Sequence, residues 1–148
     1  AALRGGVTAI RDAGAPAGID IALARLAAAG EIPGPVMHAA GRVVCMTGGH
    51  GYAFGQEADG PASVRKAVRE HLKAGASCIK LMASGGIMTE GTQPGEPQLG
   101  EEELRAGVEE AHKAGRRVLA HAEGTQGILN AIRAGVASPV KVGSRVSR

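Results

Sequence analysis

The sequence predicts an α/β fold in which short parallel strands alternate with helices. Two apolar runs, at residues 78–82 and 118–122, have the length and composition of buried strands. Each run follows a helical segment that ends in Lys-Ala-Gly, at 73–75 and 113–115, and the glycine suits the left-handed position that closes a helix. The chain therefore repeats one helix-strand unit, which favours a parallel sheet with right-handed crossovers.

The other elements follow from local composition. A strand rich in β-branched residues, an alanine-rich helix, a second strand and a helix with proline in its first turn are expected in that order, at 7–12, 19–29, about 36–44 and from 59 onward. A glycine-rich and proline-rich loop, a helix and a short last helix follow, at 84–100, 101–114 and about 128–135. Pro139 argues against a regular strand after that helix, because proline cannot donate to a β-ladder. We therefore assign residues 1–137 to one domain and residues 138–148 to an atypical tail.

Lys80 and His121 are polar residues near the carboxyl ends of the two apolar runs. Side chains alternate along a strand, so Lys80 shares a face with Cys78, and His121 shares one with Glu123, while the alternate residues remain for helix packing. An isolated ammonium group in an apolar interior must lose its proton, find a partner or be modified. We expect Lys80 and His121 to converge on one site, unless the lysine reaches solvent at a sheet edge and the histidine is a hydrogen-bonded core residue.

A glycine-rich loop at residues 46–54 contains the two aromatic residues of the chain, Tyr52 and Phe54. Since the core has no aromatic residues, their presence on one loop indicates contact with a substrate. His50 and Tyr52 are therefore candidate substrate-binding residues, although His50 would also suit a turn cap. Glu123 is a third candidate, and its alternative role is to cap the helix that follows.

Composition argues against two classes of partner. The net charge is only +3, the basic residues are scattered, and aromatic residues for base stacking are almost absent, so we expect no nucleic-acid binding. No segment approaches the roughly 20 apolar residues of a membrane span, so we expect no membrane insertion. The two cysteines do not form the pattern of a small disulfide-bonded fold, which favours reduced thiols and a cytoplasmic location.

Four segments together carry a family resemblance. They are Leu-Arg-Gly-Gly-Val-Thr-Ala-Ile-Arg-Asp at 3–12, Met-Thr-Gly-Gly-His-Gly at 46–51, Ile-Lys-Leu-Met-Ala-Ser-Gly-Gly at 79–86 and Ala-His-Ala-Glu-Gly at 120–124. In this order and spacing they resemble the metal-dependent amidohydrolase superfamily, in particular its imidazolonepropionase-like and Xaa-Pro dipeptidase (prolidase) branch. The resemblance covers about residues 1–137 and implies part of a TIM-like (β/α)8 barrel, about strands 2 to 6 with the intervening helices.

The resemblance also implies a chemistry. Lys80 matches the fourth-strand lysine that carbon dioxide converts to a carbamate in such enzymes, and the carbamate binds a divalent metal, most often zinc. His121 matches the fifth-strand metal ligand. The metal would activate water for hydrolysis of the amide C–N bond of a dipeptide or cyclic amide.

Other family ligands have no counterpart in this sequence. The first-strand His-x-His pair would lie upstream of Ala1, the sixth-strand histidine would fall near Val142, and the eighth-strand aspartate would lie beyond Arg148. We therefore expect a central fragment of such an enzyme that is inactive alone.

Two alternatives remain open from the sequence. Lys80 before a Ser-Gly-Gly turn also resembles the Schiff-base lysine of aldolase barrels, although that reading leaves His121 and the 46–54 loop unexplained. An incomplete barrel could instead be a non-catalytic interaction module, whose exposed strand edges would favour homo-oligomers.

Overall fold

A computed structural model describes residues 2–140 of the chain. It contains seven strands and four helices in these residues, besides two short 3₁₀ turns at Leu3–Gly5 and Pro16–Gly18. In chain order these elements are β1 Ala9–Asp12, α1 Ile19–Ala28, β2 Val36–Ala39, β3 Val44–Cys45, β4 Gln56–Glu57, α2 Gly60–Ala74, β5 Cys78–Met82, α3 Glu101–Lys113, β6 Arg117–His121, α4 Thr125–Arg133 and β7 Ser138–Val140. No helix among them combines the length and apolar character required to cross a bilayer.

The strands form two parallel sheets. β1 pairs with β2, and a five-stranded sheet has the order β4-β3-β5-β6-β7. Ser77, just before β5, connects the two sheets: its backbone N donates to the Ala39 carbonyl O at 2.9 Å, and the Ala39 N donates to Ser77 Oγ at 2.9 Å. The parallel α/β architecture predicted from the repeated helix-strand unit is confirmed.

The single strand predicted at about 36–44 is wrong, because the structure divides it into β2 and β3. Gly41 lies between them with φ of 76°, a left-handed conformation that favours glycine. Its N donates to Asp20 Oδ2 at 2.8 Å, and its carbonyl O accepts from Ala15 N at 2.7 Å. The bonds to Ala15 and to Asp20 in the first turn of α1 thus hold Gly41 out of the strand.

The expectation that no strand would form around Pro139 is also wrong. β7 pairs in parallel with β6, and Pro139 lies opposite Ala120. Ala137 N donates to the Val118 carbonyl O at 3.1 Å just before the strand begins. β7 is short and lies at the edge of the described sheet, where proline is tolerated. The boundary at residue 137 stays a prediction, and Val142 lies outside the described residues.

The two faces of β5 and β6 differ as their alternation predicts. Ile79, Leu81, Val118 and Ala120 are buried in the main apolar cluster, which also contains residues of α2 and α3. The opposite face holds two small clusters, Ala40 with Cys78 and Leu119, and Val43 with Cys45 and Met82. Lys80 and His121 therefore lie on the face directed away from the helices.

Glu110 connects α2 to α3 and carries a stability prediction. It accepts from Arg69 Nε at 2.7 Å and from Lys113 Nζ at 3.2 Å, and these bonds, chiefly the one from Arg69, lower its pKa to about 2. Because the folded pKa is depressed, the contribution is fully present above the usual pKa of 4.5 and is lost as the pH falls toward 2. We expect Glu110→Gln to lower the urea midpoint at neutral pH, with the difference from wild type disappearing near pH 2.

The matched control is Glu109→Gln on the same helix, because Glu109 pairs with Arg65 at 3.1 Å and both side chains are considerably exposed. Exposed pairs contribute little. An equal or larger loss in the control would contradict the role given to Glu110.

Candidate active site

Lys80 is a buried lysine without a hydrogen-bond partner among residues 2–140. Its side chain lies in the middle of β5, the residue is 5% exposed, and no hydrogen bond joins it to another described residue. Burial, and secondarily the positive charge of Arg11, lower its pKa to about 8.

His121 ends β6 on the strand next to Lys80. Met82 lies opposite His121 in the ladder, and Lys80 lies opposite Leu119 two residues earlier. The ring Nε2 is 3.0 Å from the carbonyl O of Gly85. A carbonyl oxygen can only accept, so Nε2 carries the proton and Nδ1 keeps the lone pair. Burial, followed by the charge of Lys80, lowers the pKa of His121, which favours this neutral form.

His50 comes from the 46–54 loop and lies against His121. The two ring centroids are 4.6 Å apart, and the rings are inclined by 51°. His50 Nδ1 is 2.8 Å from Thr89 Oγ1, and its backbone N donates to Gln98 Oε1 at 2.8 Å. Burial and then the charge of Lys80 lower the pKa of His50. The ring does not cap its own turn, since its bond is to the loop between β5 and α3.

Glu123 is buried two residues after His121. Its backbone N donates to Ser84 Oγ at 2.8 Å, and its charge raises the pKa of both His50 and His121, as a neighbouring carboxylate does. The alternative that Glu123 caps the next helix is wrong, because the N-cap of α4 is Gly124 and no side chain caps that end.

Tyr52 lies at the surface and is not part of this buried group. It belongs to the same loop as His50 but is 48% exposed. The structure therefore brings Lys80, His121, His50 and Glu123 together and leaves Tyr52 at the surface, where its role in substrate binding stays a prediction.

Sequence reasoning missed the residues that hold this site in place. Gly85, Gly86, Thr89 and Gln98 all come from the β5–α3 loop, which was predicted only as a glycine-rich and proline-rich loop at 84–100. Gly86 lies so close to the His50 ring that a Cβ there would be 2.4 Å from Cε1. The available signal in the sequence was the pair of adjacent glycines that begins three residues after the strand carrying Lys80, since glycine permits close approach.

The charged groups at the other end of the strands form a separate cavity. It has a volume of about 380 Å³ and is lined by Arg11, His38, residues 77–78 and residues 115–117. It lies at the amino ends of β5 and β6, away from His121. Its contribution to the site is the electrostatic effect of Arg11 on Lys80.

The donor groups fit one side of a metal site. Among residues 2–140, no three side chains of the His, Cys, Asp and Glu types gather as a metal cluster. Lys80, once carbamylated, and His121 through Nδ1 would supply one oxygen ligand and one nitrogen ligand, which suits zinc. The residues present therefore fit a metal that takes its other ligands from elsewhere.

Comparison with known proteins defines the class. The model of the amidohydrolase family matches residues 1–148, and the chain belongs to that family. The ochratoxinase of Aspergillus niger is 36% identical over an alignment of 162 residues that includes 93% of this chain and 33% of the relative.

Solved structures agree in fold and sequence. A prolidase in complex with N-methylphosphonate-L-proline is 36% identical with a TM-score of 0.85, over 91% of this chain and 37% of that one. A Xaa-Pro dipeptidase with bound methionine is 33% identical with a TM-score of 0.83, over 88% and 36%. The chain thus spans about a third of these relatives, and the α/β assignment as part of a barrel is confirmed.

Proposed function

We propose that this chain is the part of a metal-dependent amide hydrolase that supplies Lys80 and His121 to a divalent metal, most simply zinc. The observation that carries the proposal is Lys80: a buried lysine with a pKa of about 8 and no hydrogen-bond partner among residues 2–140. The family match and its prolidase and ochratoxinase relatives support amide bonds as the target.

The lowered pKa gives Lys80 the reactivity that carbamylation requires. Carbon dioxide reacts only with the neutral amine, forming an N–C bond and releasing one proton to solvent. At neutral pH about one molecule in ten would hold a neutral Lys80, against fewer than one in a thousand for an ordinary lysine. The product is an anion on the inner face of the sheet, where a cation would stabilise it.

The surrounding residues then have separate tasks. His121 keeps Nδ1 free because its Nε2–H donates a hydrogen bond to the Gly85 carbonyl O. A bound divalent metal supplies a water of lowered pKa and polarises the scissile carbonyl. His50 and Glu123 line the same space and are proposed to contact the substrate, with Tyr52 at its rim.

The substrate class we propose is a small dipeptide or cyclic amide. The remaining metal ligands and the base would come from sequence outside this chain, and we therefore propose that the chain alone is inactive. Homo-oligomerisation through open strand edges and a cytoplasmic location stay predictions. The Schiff-base aldolase reading is disfavoured by the family match and because it assigns no role to the contact between His50 and His121.

The test is ¹³C NMR of the protein with ¹³C-bicarbonate, with and without zinc. We expect a carbamate carbon signal that strengthens when zinc is added and is absent from Lys80→Met. Lys73→Met is the matched control, since Lys73 is exposed near the end of α2. A signal that survives in Lys80→Met, or its absence from a folded wild type with zinc, would reject the proposal.

A further inference from the structure

Thr89 makes two hydrogen bonds to the loop that carries His50. Its Oγ1 accepts from Gly51 N at 3.1 Å and is 2.8 Å from His50 Nδ1. The side chain is partly buried, and its backbone is fixed in turn, because the Thr89 carbonyl O accepts from Thr92 Oγ1 at 3.0 Å. Thr89 therefore connects the loop that follows β5 with the loop that follows β3.

The hydroxyl group has one proton to give. Gly51 N already occupies one lone pair of Oγ1, so the proton remains for an acceptor. Among the described residues, Nδ1 of His50, at 2.8 Å, is the one group within hydrogen-bond distance of Oγ1 that can accept it. A neutral ring that accepts at Nδ1 must carry its proton at Nε2.

Nε2 lies on the edge of the His50 ring nearest to Gly86. It makes no hydrogen bond to another described residue, so its proton is left for a ligand. Gly86 leaves room for this edge, as a Cβ there would lie 2.5 Å from Nε2. Gln98 fixes the backbone of the same residue through the bond to its N.

We propose that Thr89 is a positioning residue that holds His50 as the Nε2–H tautomer, so that His50 presents a hydrogen-bond donor to substrate oxygen and not a base. This inference rests on the proposed function for the role of the donor, but the tautomer itself does not depend on metal or substrate. Thr89 acts through His50 and does not touch the reacting atoms.

The experiment is a long-range ¹H–¹⁵N correlation spectrum of the histidines, recorded above their pKa values on the metal-free protein. We expect wild type and Thr89→Ser to show His50 almost wholly as the Nε2–H form. Thr89→Val, which is close in shape but lacks the hydroxyl, should show a mixture of both tautomers, and Thr8→Val, at an exposed threonine, should not differ from wild type.

Wild-type protein with the proton on Nδ1 of His50 would overturn the inference, whatever the variants do. A folded Thr89→Val with an unchanged tautomer would overturn it as well. The ¹³C carbamate signal of Lys80 should be the same in Thr89→Val and in wild type. Failure of the metal site would therefore appear in that signal, and failure of this inference would appear in the histidine spectrum.

Discussion

Lys80→Ala is expected to remove most of the metal that the protein holds when zinc and bicarbonate are supplied. The substitution deletes the lysine amine that would form the carbamate, and His121 alone is a weak ligand. Loss of a residue that only hydrogen-bonds to a metal ligand lowers metal affinity by about 10–100-fold. Loss of the ligand itself should cost more, so we expect the zinc affinity to fall by more than about 100-fold. Zinc titration with elemental analysis of the purified protein measures it.

Folding is not expected to suffer from this change. Lys80 has no hydrogen-bond partner to lose in the part of the chain that the structure describes, and removal of a buried amine relieves its desolvation. Lys73→Ala controls for loss of one positive charge and should keep its zinc. Equal zinc binding by wild type and Lys80→Ala would mean that the metal lies elsewhere.

Gly85→Ala is expected to damage both the fold of the β5–α3 loop and the metal site. A Cβ at this position would lie 2.3 Å from the Gln93 carbonyl O, and backbone atoms cannot move aside as a flexible side chain can. The Gly85 carbonyl O also accepts the hydrogen bond from His121 Nε2, so its displacement removes the contact that orients the ring. We expect a loss of about 1–3 kcal/mol in unfolding free energy and a fall of about 10–100-fold in zinc affinity.

Gly95→Ala is the matched control in the same loop. A Cβ there meets nothing within 4 Å, so the variant should unfold at the wild-type urea concentration and bind zinc as wild type does. Urea unfolding monitored by circular dichroism, followed by zinc titration, compares the two variants. If Gly85→Ala retains both stability and affinity, the tight packing of this loop is not what orients His121.

Strand alternation was sufficient to place the main pair of site residues. The run from Cys78 to Met82 is apolar except for Lys80, and His121 ends the neighbouring run. Because side chains alternate along a strand, the sequence alone predicts that both residues lie on the face opposite the helices. The helix ends were predictable as well, because Gly75 closes α2 in the left-handed conformation that its Lys-Ala-Gly sequence favours.

The errors arose where a distant segment decides the local conformation. Nothing in residues 36–44 shows that Asp20 will bind Gly41 and interrupt the strand. Likewise, nothing in the β5–α3 loop shows that Thr89 will reach His50, because loops have no periodicity to read. Pro139 misled because its effect depends on whether the strand lies at an edge, which is a property of the whole sheet.

The contacts that build the site all join neighbouring βα units. His50 to Thr89, Gly85 to His121 and Ser84 to Glu123 span 39, 36 and 39 residues. Closing loops of such similar and moderate length has a similar entropic cost, and none requires the rest of a barrel. During synthesis, this wall of the site can therefore take shape as soon as β6 and the start of α4 have left the ribosome. β7 would then add to a sheet that already holds Lys80 and His121 in register.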